Sequence, residues 1–306
     1  MATASLIPDL LSARFSGTFT ALVTPFKDGN VAYDDLRNLV EFQIANGVNG
    51  VASVGTTGES PTLNTDEHLE VIARTIEFAR GRIPVLAGTG SNSTAEAVFF
   101  TQHADKAGAD ALLIVAPYYN KPTQEGIYRH FATLADATAK PIILYSIPSR
   151  CGVEIATETV LRLRQSHPNI VAIKEAGGST QKVAALVRTL DPDFTVLSGD
   201  DALTVPFIEL GARGVISVAS NWLPAEVAKL TSLALSKEDP ARAASLNALL
   251  AEVFQKIFIE SNPVPIKYLL ARSNIIGTPQ VRLPLVELAP DNQTTLESLW
   301  TKWQKD

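Results

Sequence analysis

The chain of 306 residues contains a single cysteine, Cys151, so no intramolecular disulfide can form. This absence excludes the class of small secreted domains held together by disulfides. No apolar run approaches the ~18 residues that a membrane-spanning helix needs. The first residues also lack the basic segment and uninterrupted apolar stretch that are typical of a secretory signal. We therefore expect a cytoplasmic protein with no membrane association.

Positive charge is also scarce. The net charge is −6 and no basic stripe is interleaved with aromatic residues, so we expect no nucleic-acid partner. The chain has four histidines, and none has neighbouring acidic or cysteine residues in a metal-binding pattern. We therefore predict no metal site and four solvated histidines: His68, His103, His130 and His167.

Apolar, β-rich segments alternate with helix-like segments over most of the chain. Strands are predicted at residues 18–23, 50–54, 84–87, 111–116, 142–145, 170–174, 195–198 and 214–218. Helices are predicted between them at residues 34–45, 66–79, 94–107, 124–137, 157–164, 180–189 and 203–210. Strands that are apolar throughout are typical of a parallel sheet covered by helices. The count of eight predicts an α/β fold, a (β/α)8 TIM barrel, rather than an open doubly wound sheet.

Beyond Trp222 the alternation stops and amphipathic helices are predicted at 225–236, 240–258 and 266–272. We expect an N-terminal extension at 1–16, the barrel at 17–222 and a C-terminal helical region at 223–306 that packs against it. Two spacings, Asn64-x-x-Glu67 and Ser93-x-x-Glu96, predict capping boxes at helix starts.

Lys174 is the most informative residue, because it ends a short apolar strand and is followed by Gly177 and Gly178. Burial disfavours a charged ammonium, so such a lysine keeps more free amine for attack on a carbonyl. Strand alternation predicts that Lys174 shares a face with Ile170 and Ala172, and that Glu175 shares the other face with Val171 and Ile173. A lysine that extends to solvent from the strand end is the plain structural alternative.

Other strand ends of the predicted barrel carry hydroxyl, phenol and guanidinium groups, and in a TIM barrel the site lies at those ends. Thr56 and Thr57 are flanked by glycines and could offer hydroxyls and N–H groups to a carboxylate, although an ordinary tight turn explains them equally. Tyr145 could be a packed core residue. Arg150 could be either a carboxylate clamp or a solvated charge.

Two further patterns are weaker. Gly88-Thr89-Gly90 lacks the third glycine of a dinucleotide-binding fingerprint, so we interpret it as a loop. Asp200-Asp201 after the seventh strand could hold a cation, but a helix cap is the better interpretation.

Together these segments resemble the 4-hydroxy-tetrahydrodipicolinate synthase family, within the N-acetylneuraminate lyase superfamily of class I aldolases. The resemblance covers nearly the whole chain from about Gly17. It rests on the motifs beginning at Gly55, Pro117, Tyr145, Ala172, Ser198, Gly214 and Asn262. It implies a TIM-barrel lyase that condenses pyruvate with L-aspartate 4-semialdehyde, the committed step of diaminopimelate and lysine biosynthesis, with no metal or organic cofactor.

The resemblance also implies roles for particular residues. Lys174 would form the Schiff base, and Tyr145, Thr56 and Tyr119 would relay protons, with Tyr119 supplied by a neighbouring subunit. A homotetramer built as a dimer of dimers is implied. The substrate-binding positions implied by the match are Thr57, Arg150, Ile216 and Gly199.

A feedback site for L-lysine at the subunit interface is implied as well. The matching positions are Ser60, His68, Asn92, Glu96 and Tyr118. Two positions depart from the family pattern: Ser146 stands where asparagine is frequent, and Thr65 where histidine or a larger side chain is common. We therefore expect inhibition by lysine with weakened affinity.

Two alternatives stay open on the sequence. A sister aldolase of the same fold, such as N-acetylneuraminate lyase or a keto-deoxy sugar acid dehydratase, shares the lysine and the Thr-Gly-Glu loop. Arg150 and the pair Tyr118-Tyr119 favour the synthase. The other alternative is a catalytically silent barrel that acts as a binding protein.

Overall fold

Eight apolar segments form parallel strands that close into a barrel in the computed structural model, which describes residues 14–304. Going round the barrel, each strand pairs with the next along the chain, and the last pairs with the first. The barrel strands are β1 Gly17–Ala21, β4 Gly50–Ser53, β5 Val85–Gly88, β6 Ala111–Val115, β7 Ile142–Ser146, β8 Ile170–Glu175, β9 Thr195–Ser198 and β10 Gly214–Ser217. The predicted TIM barrel is confirmed, with strand ends shifted by up to two residues.

A short antiparallel hairpin between the first strand and the first helix is not predicted from the sequence. It consists of β2 Phe26–Lys27 and β3 Asn30–Val31. Two residues per strand are too few for a period-two pattern to be recognised.

The helices cover the outside of the barrel and continue beyond it. They are α1 Tyr33–Ala45, α2 Thr65–Ala79, α3 Thr94–Ala107, α4 Gln124–Asp136, α5 Pro148–Cys151, α6 Thr157–Ser166, α7 Thr180–Thr189, α8 Thr204–Glu209, α9 Pro224–Ser236, α10 Pro240–Lys256, α11 Val264–Arg272 and α12 Pro290–Trp303. The short helix α5 is not predicted from the sequence. Helix α12 lies in the predicted C-terminal helical region, but no separate helix is predicted there.

Only one of the two predicted capping boxes forms. At α2 the Asn64 side chain accepts from the Glu67 N–H and the Glu67 carboxylate accepts from the Asn64 N–H, at 2.9 and 3.0 Å. At α3 the side chain of Ser93 makes no cap hydrogen bond. The Glu96 carboxylate instead accepts a hydrogen bond from the hydroxyl of Ser91 at 2.5 Å. It is therefore bonded to Ser91 and does not close a capping box with Ser93.

The apolar core has two layers, one inside the barrel and one between the barrel and the helices. Phe19, Ile143, Leu197 and Ile216 belong to the inner layer and are fully buried. The outer layer includes Ile170 and Ile173 of β8. Side chains on both faces of the strands are therefore buried, which explains their continuous apolar sequence.

Strand β8 contains an irregularity that changes the predicted side-chain alternation. Ile142 pairs with Ile170, but the next residue, Ile143, pairs with Ala172, so Val171 is an extra residue. Ala172 faces the barrel interior, whereas Ile170 lies in the outer layer. The predicted face shared by Ile170, Ala172 and Lys174 is therefore wrong for Ile170, because the extra residue reverses the alternation.

The C-terminal helices are tied to the barrel by polar contacts. Thr18 of β1 donates to Thr231 of α9 at 2.8 Å, and Trp222 and Trp300 both donate to Ser273, at 2.9 and 3.0 Å. The predicted boundary at residue 222 stays a prediction. Most of the predicted N-terminal extension, residues 1–13, and the last two residues of the C-terminal region lie outside the described residues.

The interpretation of all four histidines as solvated is wrong for two of them. His68 and His130 are 4% and 5% exposed. The ring of His130 packs edge-on against Phe131, and its Nδ1 lies 2.9 Å from the Thr94 hydroxyl. Burial lowers the pKa of His130 to about 4. Helical spacing alone could not show which face these residues occupy.

We expect His130 to make the fold acid-sensitive. The unfolded side chain takes up a proton near its ordinary pKa of about 6.5 and the folded one only near 4, so stability falls as the pH drops through this range. The free energy of unfolding should fall by about 2 kcal/mol between pH 7 and pH 5 from this residue. Denaturant titrations at pH 7 and pH 5 measure this loss in the wild-type protein and in His130→Asn, whose amide can still bond Thr94. The free energy of unfolding should fall by about 2 kcal/mol less in the variant than in the wild-type protein. Equal pH dependence would contradict the prediction, and His103→Asn is the control.

Candidate active site

A cavity of about 320 Å³ opens at the ends of the barrel strands. Its wall combines loops after β4, β6 and β7 with segments that flank helix α11. The lining residues that carry polar groups of interest are Thr56, Glu59, Tyr118, Tyr145, Arg150 and Asn262. The predicted convergence of these loops on one mouth is therefore found.

Lys174 lies beside this cavity, at the end of β8. Its residue exposure is 5%, and its Nζ is 4.2 Å from the centroid of the Tyr145 ring, which belongs to the cavity wall. Lys174 and Tyr145 are paired neighbours on β8 and β7, so the sheet register sets their approach. The alternative of a lysine that extends to solvent is excluded by this burial.

Two lysines of the described residues, Lys174 and Lys267, are buried, and the side chain of Lys182 is only 8% exposed. The three differ in their counter-charges. Lys182 contacts Glu175 and Glu154 at 2.8 and 3.0 Å, and Lys267 contacts Glu59 at 2.6 Å. Lys174 forms no ion pair with a carboxylate anywhere in residues 14–304. An amine held in an apolar setting without a counter-charge is suited to act as a nucleophile.

Glu175 points away from Lys174, as predicted, and is fully buried. Burial raises the pKa of its carboxyl group, while the ammonium of Lys182 opposes this shift. Lys182 also donates to the hydroxyl of Ser146 at 3.2 Å. The departure at Ser146 thus places a small acceptor beside Lys182 and leaves Tyr145 in place.

The loop after β4 has an unusual backbone. Val54 adopts a φ of 54°, which is rare for a β-branched residue and marks local strain. The carbonyl O of Val54 lies so close to Gly88 that a Cβ on that glycine would be 2.2 Å away. The close approach of this loop therefore needs a glycine at position 88. Gly88 is the last residue of β5, so the interpretation of Gly88-Thr89-Gly90 as a loop is wrong at its first residue.

The two adjacent threonines of this loop differ in exposure. Thr56 is partly exposed and lines the cavity. Thr57 is buried, and its hydroxyl accepts a hydrogen bond from Asn262 Nδ2 at 2.9 Å. No side-chain hydrogen bond joins Thr56 to Tyr145 in the part of the chain described.

Arg150 lies in the short helix α5 and also lines the cavity. One guanidinium nitrogen donates to the carbonyl O of Asn262 at 3.3 Å, and the residue is otherwise exposed. Because Arg150 lines the cavity and has further guanidinium donors, it could bind a carboxylate there in a bidentate arrangement.

Three other predicted site residues lie at the edges of this arrangement. Gly199 packs against Lys174, because a Cβ on it would be 3.0 Å from Lys174 Cε. Ile216 lies in the apolar interior of the barrel. Tyr119 is 89% exposed, has a φ of 71°, and is not among the residues that line the cavity of its own chain.

A second cavity of about 140 Å³ adjoins the first. Four of the predicted lysine-site residues line it, together with Thr65: Ser60, His68, Glu96 and Tyr118. Asn92 lies outside its wall, and its carbonyl O accepts from Asn120 at 2.9 Å. His68 stacks on Phe100 with ring centroids 3.9 Å apart, and its Nε2 lies 2.8 Å from Gly88 O.

Comparison with known proteins agrees with this arrangement. Residues 14–302 match the model of the dihydrodipicolinate synthetase family. The chain belongs to the dihydrodipicolinate synthetase family. A relative from Persephonella marina, named 4-hydroxy-tetrahydrodipicolinate synthase, is 46% identical over 286 residues, which are 93% of this chain and 97% of the relative. The predicted family and the predicted lyase class are confirmed, and the sister aldolases are not favoured.

Two solved structures in the family contain ligands. The chloride-inhibited dihydrodipicolinate synthase from Acinetobacter baumannii, complexed with pyruvate, is 43% identical with a TM-score of 0.89 over 92% of this chain and 97% of its own. The enzyme from Cyanidioschyzon merolae with lysine bound is 38% identical with a TM-score of 0.91 over 93% and 97%.

Asp200 and Asp201, which could have held a cation in this family member, have structural roles. Asp200 caps the turn that follows by accepting from the Ala202 N–H at 2.9 Å. Asp201 is buried and accepts from Ser217 Oγ at 2.5 Å and from the Val218 N–H at 3.0 Å. The helix-cap interpretation is confirmed for Asp200.

Sequence reasoning assigned no role to two residues that shape the family site here, Asn262 and Lys267. Asn262 contacts Thr57 across 205 positions of the chain, and Lys267 contacts Glu59 across 208. The Asn-Pro pattern before α11 predicts a local turn, but no local pattern pairs it with a loop so distant in sequence.

Within residues 14–304, no group of three or more histidine, cysteine, aspartate or glutamate side chains is arranged to hold a metal ion. None of the described helices is both long enough and apolar enough to cross a membrane.

We expect Gly199→Ala to displace the side chain of Lys174. The added Cβ would lie 2.6 Å from Ala176 Cβ and 3.0 Å from Lys174 Cε, so Lys174 must move. The rate at which borohydride traps a keto acid on Lys174 should fall at least tenfold. Gly178→Ala is the control, because its Cβ meets no atom within 4 Å although its φ is +79°. It should lower stability by about 1 kcal/mol and leave the trapping rate unchanged. Equal rates for the two variants would contradict the prediction.

Proposed function

We propose that this chain condenses pyruvate with L-aspartate 4-semialdehyde through a Schiff base on Lys174, giving 4-hydroxy-tetrahydrodipicolinate. The observation that supports this most strongly is the buried amine of Lys174, without a counter-charge, beside a cavity that carries hydroxyl, phenol and guanidinium groups. The family membership and the pyruvate complex of the Acinetobacter baumannii relative support the same substrate class.

The first half of the reaction forms a carbon nucleophile. The Lys174 amine attacks the keto carbon of pyruvate, and loss of water gives an imine. The protonated imine nitrogen is the electron sink when the methyl group loses a proton, which gives the enamine. Thr57, with the main chain of Ile216 and Gly199 nearby, holds the pyruvate carboxylate in this proposal, and Thr56 and Tyr145 carry protons.

The second half forms the carbon–carbon bond. The enamine carbon attacks the aldehyde carbon of the semialdehyde, whose oxygen takes up a proton and becomes the hydroxyl group. The amino group from the semialdehyde then attacks the imine carbon, closes the ring and displaces Lys174. Arg150 receives the semialdehyde carboxylate, because its guanidinium lies at the cavity mouth.

We propose further that Tyr119 acts in the cavity of a neighbouring subunit, within a homotetramer built as a dimer of dimers. Its 89% exposure leaves the phenol free to enter another chain's site. The order Thr56, Tyr145, Tyr119 would then complete the proton relay across the interface. Sedimentation velocity tests this assembly, and a fully active monomer would contradict it.

Borohydride trapping tests the central step. Incubation with pyruvate and borohydride should leave a reduced adduct on the peptide that contains Lys174, detected by mass spectrometry, and parallel samples with the semialdehyde should consume both substrates. Lys174→Arg, which keeps the charge but is a poor nucleophile, should lose both adduct and turnover.

Each other outcome has a definite meaning. Adduct formation with turnover of N-acetylmannosamine but not of the semialdehyde would favour a sister aldolase. No adduct under any condition would contradict the Schiff-base proposal and favour a silent barrel.

We propose the second cavity as a feedback site for L-lysine, and the lysine bound in the structure of the Cyanidioschyzon merolae relative supports this choice of ligand. Glu96 could pair with an ammonium group, and His68 offers a flat, buried ring. The two cavities share wall residues Ser60, Pro61, Gly90 and Tyr118, so a ligand in one changes the wall of the other. The small Thr65 in this wall leaves the ligand with fewer contacts.

L-Lysine should therefore inhibit the enzyme, but with weaker affinity than relatives with a larger residue at position 65. Initial rates measured up to millimolar lysine check this. Glu96→Gln should weaken inhibition about tenfold, since a hydrogen bond to a charged group contributes about 1.5–3 kcal/mol. Glu209→Gln, at an exposed position of another helix, should leave it unchanged. An unchanged wild-type rate at millimolar lysine would contradict the proposal.

A further inference from the structure

The loop that carries Thr56 and Thr57 is held from beneath by a buried ion pair, Glu59 with Lys267. The side chains are 1% and 0% exposed, and Lys267 Nζ lies 2.6 Å from Glu59 Oε1. Neither group takes part in the reaction proposed above. Withdrawing two charges from water is costly, and a buried pair is a candidate device for specifying one conformation of the chain.

Glu59 connects the ion pair directly to the threonines through the main chain. Its φ of 54° is left-handed, its N–H donates to the carbonyl O of Thr56 at 3.1 Å, and its own carbonyl O accepts from the Thr62 N–H at 3.0 Å. The Glu59 side chain therefore anchors a turn that closes on Thr56, and displacement of its carboxylate would move that turn.

Helix α11 and the segment just before it contact this loop at two points. Asn262, just before the helix, donates to the hydroxyl of Thr57, and Lys267, one turn into the helix, binds Glu59. Thr57 and Glu59 are thus held by helix α11 and the segment just before it. Since α11 lies in the C-terminal helical region, that region contributes directly to the geometry of the barrel mouth.

Further contacts around Glu59 hold its side chain and the loop in place. Its second oxygen, Oε2, accepts from the backbone N–H of Arg282 at 3.0 Å. The ring of Phe26 lies beside both cations, 4.2 Å from Lys267 Nζ and 4.4 Å from Arg282 Cζ. Thr24 donates to the carbonyl O of Gly58 at 2.7 Å. Each of these contacts limits movement of the loop relative to the barrel.

We infer that Glu59 and Lys267 are positioning residues that set the affinity of the site for the carboxylate of its keto-acid substrate. This inference rests on the proposed function, in which Thr57 receives that carboxylate. The pair acts on Thr56 and Thr57 and does not touch the reacting atoms, so its loss should change the KM for pyruvate more than the KM for the semialdehyde, which is bound by Arg150.

Removing one partner should be more harmful than removing both. Lys267→Met leaves an unpaired carboxylate in an apolar site, and that carboxylate must draw in water or leave, with displacement of the turn at Thr56. Glu59→Gln keeps the shape of the side chain but weakens the contact with Lys267. The double variant Glu59→Gln/Lys267→Met buries no charge and should restore part of the loop geometry.

Steady-state kinetics of the full-length enzyme test the inference, with active sites counted by borohydride trapping at saturating pyruvate. Each single variant should raise the KM for pyruvate at least tenfold per active site and change the KM for the semialdehyde less than threefold. The double variant should have a pyruvate KM that is lower than that of Lys267→Met and still at least threefold above wild type. Arg164→Met is the matched control, because it removes a partly buried ion pair with Asp191 elsewhere on the barrel.

Reduced thermal stability with an unchanged pyruvate KM in the variants would show a merely structural pair and overturn the inference. If the single variants do not fold, the double variant carries the test, and a wild-type pyruvate KM there would overturn the inference. Failure of the wild-type protein to form any adduct on Lys174 would instead contradict the proposed function and the inference with it.

Discussion

All barrel strands run in the same direction and close on themselves, and this constraint places every functional group described above. In a closed sheet each strand has a hydrogen-bonded neighbour on both sides, as β1 has with β4 and β10. The carboxyl ends of the strands therefore meet at one mouth, and loops distant in sequence become neighbours. Tyr145 and Lys174 approach each other because β7 and β8 pair in register at these residues.

Charge compensation divides the buried lysines into two kinds. Lys182 and Lys267 are paired with carboxylates and hold elements together, whereas Lys174 is left without a counter-charge. Burial lowers the pKa of Lys267 to about 8, and its attraction to Glu59 opposes that shift. The same residue type thus has a structural or a chemical use according to whether a carboxylate accompanies it into the interior.

The C-terminal helices contribute to the site as well as to the packing of the barrel. Asn262 and Lys267 reach the loop after β4, and Pro284 and Leu285 from the segment after α11 line the cavity. A barrel without this region would have the strand ends but would lack the contacts that hold Thr57 and Glu59. The cavity at the barrel mouth is therefore built from both regions.

The amino-acid sequence by itself determined the eight strands, the barrel class, the family and the placement of Lys174, Tyr145, Thr56 and Arg150 at strand ends. These follow from local apolar patterns and short motifs, since a parallel strand that is buried on both faces has a short, continuous apolar sequence. Tertiary structure alone decided the pairing of Asn262 with Thr57, the ion pair of Glu59 with Lys267, the burial of His130 and the extra residue at Val171. Each of these depends on contacts between distant segments or on strand register, and neither is encoded in a local pattern of residues.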